Sequence, residues 1–358
     1  MRRWVICAVL CLLALTVTAR AAEVPEELRR ALPRETQELL RQAETEGENG
    51  FPDGLSGIWA AVKKQFRTVV RQQARGAALV VLTAMLCGVI DGAGKAVGDS
   101  VRLTPMVGAL SVTMISAGSL DSLVGLGVET IDTMGVFSKV LLPTLAAATA
   151  AAGAMSTATA QQVATVFFVD VLLQLIRELL LPLAYLYIGV LTAASMLVDG
   201  RLKGIAVALK KCVTFLLSGA LIVFTLYLSV ARVLYGSVDS MAVKMTKSAI
   251  SGVVPVVGGI LADASETVLA GAGMLKNTVG IFGTLAVLAI CALPFLRLGM
   301  QYLLYKLAAF LAGTVGPPEL RDLIDGLAGA FGLVLGMTGA CALLLLVSVL
   351  SSVAAVTP

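Results

Sequence analysis

Asp263 and Glu266 stand three residues apart within 262–267, a spacing that sets two carboxylates on one face of a helix, where they could coordinate a cation. The chain has no histidine and no second acidic pair nearby, so a solvated helix face is the simpler reading. Asp170, Arg177 and Glu178 are the other candidates, because each lies in or beside a long apolar stretch. A charge in hydrocarbon is costly, and intramembrane ionisable residues mark ion or proton pathways by default. The plainer alternative is that each ends a span and snorkels, or that Arg177 pairs locally with Asp170. Asp91, Arg297 and Lys306 fall under the same two readings.

Other chemistry is excluded by what is missing. Without histidine there is no imidazole for a triad, a proton relay or a common zinc site. No GxxxxGK[ST] phosphate loop and no HExxH motif occur, so the chain does not drive transport with its own ATP site and is no zinc peptidase. Cys87, Cys212, Cys291 and Cys341 each sit alone in an apolar stretch without CxxC spacing, as buried thiols acting as small hydrophobes do. No catalytic, cofactor-binding or metal-binding residue is expected, no cofactor is implied, and the chain does not read as an enzyme.

The elements that must carry these residues are membrane helices. The 358 residues are 58% hydrophobic and 14% charged, whereas soluble domains run at about 45–50% and about 25%. The 35 glycines suit close helix packing in lipid. The net charge of +4 is spread out, without basic residues interleaved with aromatics, so nucleic acid is not an expected partner. Arg2 and Arg3, the apolar run 5–17 and the small residues Ala19 and Ala21 predict a signal peptide over 1–22. An extracytoplasmic polar and amphipathic leader comes next, over 23–75. Leu28, Leu32, Leu39 and Leu40 predict a short amphipathic helix in it, broken near Pro33. Residues 58–75 place Lys63, Lys64, Arg67, Arg71 and Arg75 between apolar positions with no acid, predicting a helix lying in the interface with Trp59 as anchor.

Transmembrane helices are expected over 76–235 and 278–358, separated by a Gly/Pro-interrupted amphipathic segment, 236–277. A span needs about 20 residues. Candidate spans are 76–90 with its flank, 103–120, 136–155, 160–176, 179–198, 212–231, 277–296 and the uncharged 326–358, with 298–312 as a hairpin or interfacial helix. The basic stretch 199–211 has the character of a cytoplasmic loop. The fold class is therefore all-α, a polytopic integral membrane protein with about seven or eight transmembrane helices after a signal peptide. A faint likeness between 132–137 and 277–282 would, as a parallel repeat, favour a permease; chance explains six loosely similar residues as well.

Residues 247–258, KSAISGVVPVVG, put Pro255 in a valine run between Gly252 and Gly258. Beyond them lie LADASETV over 261–268 and LKNTVG over 275–280. An interrupted apolar helix can line a cavity with its freed backbone groups, which makes Pro255, Gly258, Asp263, Glu266 and Asn277 candidate pore or gating residues. In this order, after a signal sequence, a polar stretch and several spans, these blocks resemble the stage III sporulation protein AE family of endospore-forming bacteria. The resemblance implies a mother-cell membrane around the engulfed forespore and a channel or secretion-like complex joining the two cells. It also implies other stage III sporulation membrane proteins and a separate ATPase subunit as partners. The alternative from the residues alone is an autonomous secondary transporter for a small solute.

Overall fold

The computed structural model describes residues 25–34, 36–38, 40, 51–97, 103–196, 201–253 and 258–354; the expected signal peptide and Pro255 lie outside them. The described residues are almost entirely helical and contain no strand. The elements are α1 (Glu26–Arg30), α2 (Phe51–Val97), α3 (Leu103–Ala151), α4 (Met155–Leu175), a π-helical segment (Ile176–Leu180), α5 (Leu181–Met196), α6 (Arg201–Val253), α7 (Gly258–Val315) and α8 (Pro318–Ala354). Among the described residues, five helices are long and apolar enough to cross a membrane, within Gly54–Ala93, Thr104–Ala151, Leu202–Tyr235, Leu269–Val315 and Pro318–Ala354.

Several expected segments merge. Residues 103–120 and 136–155 lie largely within the single helix α3, because Asp121, Glu129 and Asp132 between them fall within an unbroken helix. Residues 160–176 and 179–198 share one rod made of α4, the π segment and α5. Likewise 58–75 is no separate interfacial helix but part of the N-terminal half of α2, and 298–312 belongs to α7. At about 1.5 Å per residue the 49 residues of α3 reach ~74 Å, well beyond a ~30 Å hydrocarbon core. Proline explains the interruption in the third rod. Pro182 has no N–H to return to the carbonyl of Glu178, and the chain absorbs the loss in the π segment, where Leu181 N–H bonds to Ile176 O.

The rods run alternately up and down, as close approaches between them establish. Gly54 packs on Leu285 and Gly88 on Val315, so α2 and α7 are parallel; Gly76 meets Ser119 and Gly108 meets Cys87, so α2 and α3 are antiparallel. Gly283 meets Leu141 and Cys291 Sγ lies 3.5 Å from Met134 Sδ, so α3 and α7 are antiparallel. The segments 132–137 and 277–282 therefore run in opposite directions, which removes the parallel repeat. The physical reason is the missing turn in α3: with no reversal between 103–120 and 136–155, residues 132–137 keep the direction of the first of these.

α8 is the central rod, in contact with α2, α3, α4, α5, α6 and α7. Its buried Leu320, Leu323, Ile324, Leu327, Phe331, Val334, Met337, Cys341 and Leu345 recur at three- and four-residue intervals around much of the helix. In the most apolar stretches of α7 and α8, 61% is buried, against 17% in that of α6. Ala84 and Gly88 form a small-xxx-small pair on α2 that lets the α7–α8 corner approach. A Cβ at Gly88 would lie 2.1 Å from the Val315 carbonyl oxygen. The leader docks on this bundle through the buried Leu28, Leu32 and Leu40, and Gln37 Nε2 donates to the carbonyls of Arg29 and Leu32 at 2.9 and 2.8 Å.

Candidate functional site

Hydroxyls in apolar helices usually return to their own backbone, satisfying themselves without a partner. Thr144, Thr149 and Thr159 do so, bonding to the carbonyls of Val140, Leu145 and Met155 at 2.7–2.9 Å. On α4 the residues Thr157, Gln161 and Thr165 behave differently. Four residues apart, they form one stripe, and each reaches across to another helix. Gln161 Nε2 donates to Ser351 Oγ at 2.9 Å, and Ser352 Oγ donates to Gln161 Oε1 at 2.8 Å. Thr165 Oγ1 and Ser348 Oγ are 2.7 Å apart. The result is a polar seam between α4 and α8 in an otherwise apolar bundle.

Asp239 of α6 closes the seam at the N-terminal end of α4. The chain enters α4 through a turn in which Gly153 has φ 93°, and Ala154 at the N-cap offers no side-chain oxygen. Asp239 supplies it from another helix. Its carboxylate accepts from Ser156 N at 3.0 Å, from Thr157 N at 2.8 Å and from Thr157 Oγ1 at 2.5 Å. The positive end of the α4 dipole adds to these contacts. Asp239 is only 7% exposed. Burial pushes its carboxyl up, but the hydrogen bonds from the Thr157 hydroxyl and amide and from Ser156 outweigh it and hold the group below its ordinary value. The Asp239 contacts tie α6 to α4, and the bonds of Gln161 and Thr165 tie α4 to α8.

The opposite end of the bundle carries ion pairs: Lys203 Nζ lies 2.7 Å from Asp322 and Lys306 Nζ 2.6 Å from Asp325. Tyr187 Oη donates to Gly326 O at 2.9 Å. Beside the middle of α3, Asp121, Glu129, Asp132 and Tyr185 line a cavity of about 620 Å³ against the leader's Ala31, Leu32 and Pro33.

The candidates named from sequence are scattered. Asp170 is exposed on α4. Arg177 pairs not with Asp170, which stands seven residues and ~10 Å away along the helix, but with Asp132 of α3. Glu178 accepts from Gln174 Nε2 at 3.2 Å. Gly258, Asp263 and Glu266 lie in the first turns of α7, with the side chains of Asp263 and Glu266 outside the described positions. Asn277 is exposed on α7, next to the buried Lys276. Sequence reasoning missed Asp239, Thr157, Gln161 and Thr165. The stripe at four-residue spacing was the available signal, but its partners are some 80 to 190 residues away. Among the described residues no group of three or more Cys, Asp or Glu is placed to hold a metal ion.

Long apolar rods, small-residue contacts and a buried polar seam define an all-α polytopic membrane protein. A family model described as stage III sporulation protein AE matches residues 36–356. The chain belongs to that family of sporulation membrane proteins. It is 27% identical over 216 residues to stage III sporulation protein AE of Bacillus subtilis (strain 168), an alignment covering 59% of this chain and 53% of that protein. The chain thus spans about half the length of the curated relative it matches. No solved structure matches it.

Proposed function

We propose that this protein is a membrane subunit of a channel or secretion-like complex linking mother cell and forespore, needed for forespore development. It resides in the mother-cell membrane surrounding the forespore. The observation that carries this reading is membership of a sporulation family joined to a bundle with an uncovered side: the apolar stretch of α6 is 17% buried. Such a helix is built to face lipid and further subunits. The partners are other stage III sporulation membrane proteins and a separate ATPase subunit, consistent with a chain that has no phosphate loop. Segment 236–280 lines or gates the path. Near its start Asp239 of α6 accepts hydrogen bonds from α4, and near its end Val279 of α7 is buried.

The alternative, an autonomous transporter working through Asp170, Arg177 and Glu178, has less support. Arg177 and Glu178 are engaged by Asp132 and Gln174, and Asp170 is exposed on the outside of α4. Replacing Pro255 by Ala tests the proposal in sporulating cells. Late forespore reporter activity should fall while the protein still accumulates. Unchanged sporulation, together with solute uptake by the purified chain in vesicles, would overturn it in favour of the transporter.

A further inference from the structure

Among the described residues, two buried side-chain atoms find no hydrogen-bond partner, Gln73 Oε1 on α2 and Gln301 Oε1 on α7. Gln301 is 1% exposed, and a buried acceptor without a donor is costly enough that native structures seldom keep one. The two oxygens belong to one place. Gly54 against Leu285 and Gly88 against Val315 set α2 and α7 in a register that levels Gln73 with about residue 302. At about 100° per residue, Gln73 falls midway between Gly76, which meets Ser119 of α3, and Gly88, which meets Val315 of α7. Gln301 in turn falls midway between Val315, against α2, and Tyr305, against Ser116 of α3. Both amides therefore enter the junction of α2, α3 and α7 at the same height.

The neighbouring hydroxyls of Tyr305 and Ser116 have no proton to spare for them. Ser116 Oγ donates to Val112 O at 2.7 Å, and Tyr305 Oη donates to Ser116 Oγ at 2.9 Å. The Gln301 side chain reaches the Tyr305 hydroxyl. The proton of that hydroxyl is already committed to Ser116, so the amide nitrogen is the donor there. All these donors run one way, toward Val112, and Gln301 Oε1 is left at the head of the series. One turn away Gly76 leaves space: a Cβ there would meet nothing nearer than Ser119 Oγ, at 3.8 Å. Ser111, Thr113 and Ser116 bond back to their own turns of α3, whereas Ser119 does not. Arg71, Arg75 and Asp121, the charges nearest in height on α2 and α3, are all exposed.

We propose that this junction is a binding site for one ordered water molecule. The water donates one proton to Gln73 Oε1 and the other to Gln301 Oε1, and accepts from the Ser119 hydroxyl. Water suits the site because it brings two donors in one small molecule, and about three bonds is its usual number in a protein interior. A metal cation would meet the same oxygens but would be buried with no anion to offset its charge. The water links the parallel helices α2 and α7 to α3 through polar contacts that the side chains do not make directly.

A structure of the full chain in lipid, at a resolution that shows ordered solvent, tests this directly. The expected result is a density peak within hydrogen-bond distance of both Oε1 atoms, unchanged when rubidium replaces sodium. A direct bond between the two amides with no peak overturns the proposal, and so does a peak that strengthens in rubidium, which would mark a cation site. Thermal unfolding in detergent gives a second readout. Gln73→Met and Gln301→Met should each lower the midpoint by a few degrees, because the water loses an acceptor. The double variant releases the water along with both oxygens and should recover most of that loss. The wild-type midpoint should be the same in sodium and in choline chloride; a higher one in sodium points to the cation. Single substitutions that raise the midpoint, and add up in the double variant, would show that the two oxygens share no ligand.

Discussion

Asp239→Ala removes the carboxylate that caps α4 from another helix. The cap consists of two backbone N–H bonds and one hydroxyl bond to a buried anion, at 3.0, 2.8 and 2.5 Å. An ordinary N-cap substitution costs ~1 kcal/mol and at most about 2. Leaving buried donors without a partner costs ~1–3 kcal/mol more, so the expected destabilisation is ~3 kcal/mol. Asp239→Asn keeps an oxygen in place and tests the charge alone, with ~1 kcal/mol expected, since Asn caps about as well as Asp. Unfolding titrations in mixed micelles measure both. A double-mutant cycle with Thr157→Val should give a coupling of about 1 kcal/mol or more. The pH dependence comes from the depressed carboxyl. Its contribution is fully present above the unfolded value of about 3.9 and is lost as pH falls through the lower folded value. The advantage of wild type over Asp239→Asn should therefore shrink below about pH 4. A stability for Asp239→Ala within ~0.5 kcal/mol of wild type, the scatter of neutral surface changes, would refute the view that this carboxylate fixes α6 to α4.

Three further outcomes rest on close contacts elsewhere. Gly88→Ala drives a methyl group into the Val315 carbonyl, a backbone atom 2.1 Å away; thermal unfolding in detergent should report a loss of ~1–3 kcal/mol or more. Gln161→Leu strands the hydroxyls of Ser351 and Ser352 and should cost ~1–3 kcal/mol in the same micelle titration, whereas Asn277→Ala on the exposed face of α7 should be neutral. Arg177→Gln breaks the pair with Asp132, but both groups are about half exposed. Its cost should stay under ~1 kcal/mol, and a much larger loss would revive an intramembrane role for Arg177.

The membrane class and the helical character were legible because they rest on composition and on long uncharged runs, which no tertiary contact can reverse. The number of rods was less so. A charge such as Asp121, Glu129 or Asp132 reads as the end of a span, yet an α-helix continues through charges wherever they reach water, as α3 does over 49 residues. Pro182 interrupts its rod with the π segment before α5, which no sequence reading foresaw, while Pro143 and Pro294 stand within α3 and α7 without ending them. The leader's Leu28, Leu32 and Leu40 were legible as one side of a short amphipathic segment, and the bundle buries that side. The polar seam was hidden for a different reason. Taken singly, Thr157 and Thr165 look no different from Thr144 and Thr149, which bond to their own turn, and the four-residue stripe does not say which helix it meets. Only the packing of α4 against α6 and α8 tells them apart. Asp239 lies among residues that read as the start of an interrupted amphipathic segment, and its partner helix begins 84 residues earlier at Met155.

The central claim is that this chain works as one subunit of a sporulation complex, and its most direct test is purification of a tagged copy from sporulating cells in mild detergent, with identification of what accompanies it. The expected result is recovery of other stage III sporulation membrane proteins together with an ATPase subunit, from cells fractionated at the stage of forespore engulfment. Recovery of the protein alone as a small defined oligomer, active in solute uptake, would contradict the claim.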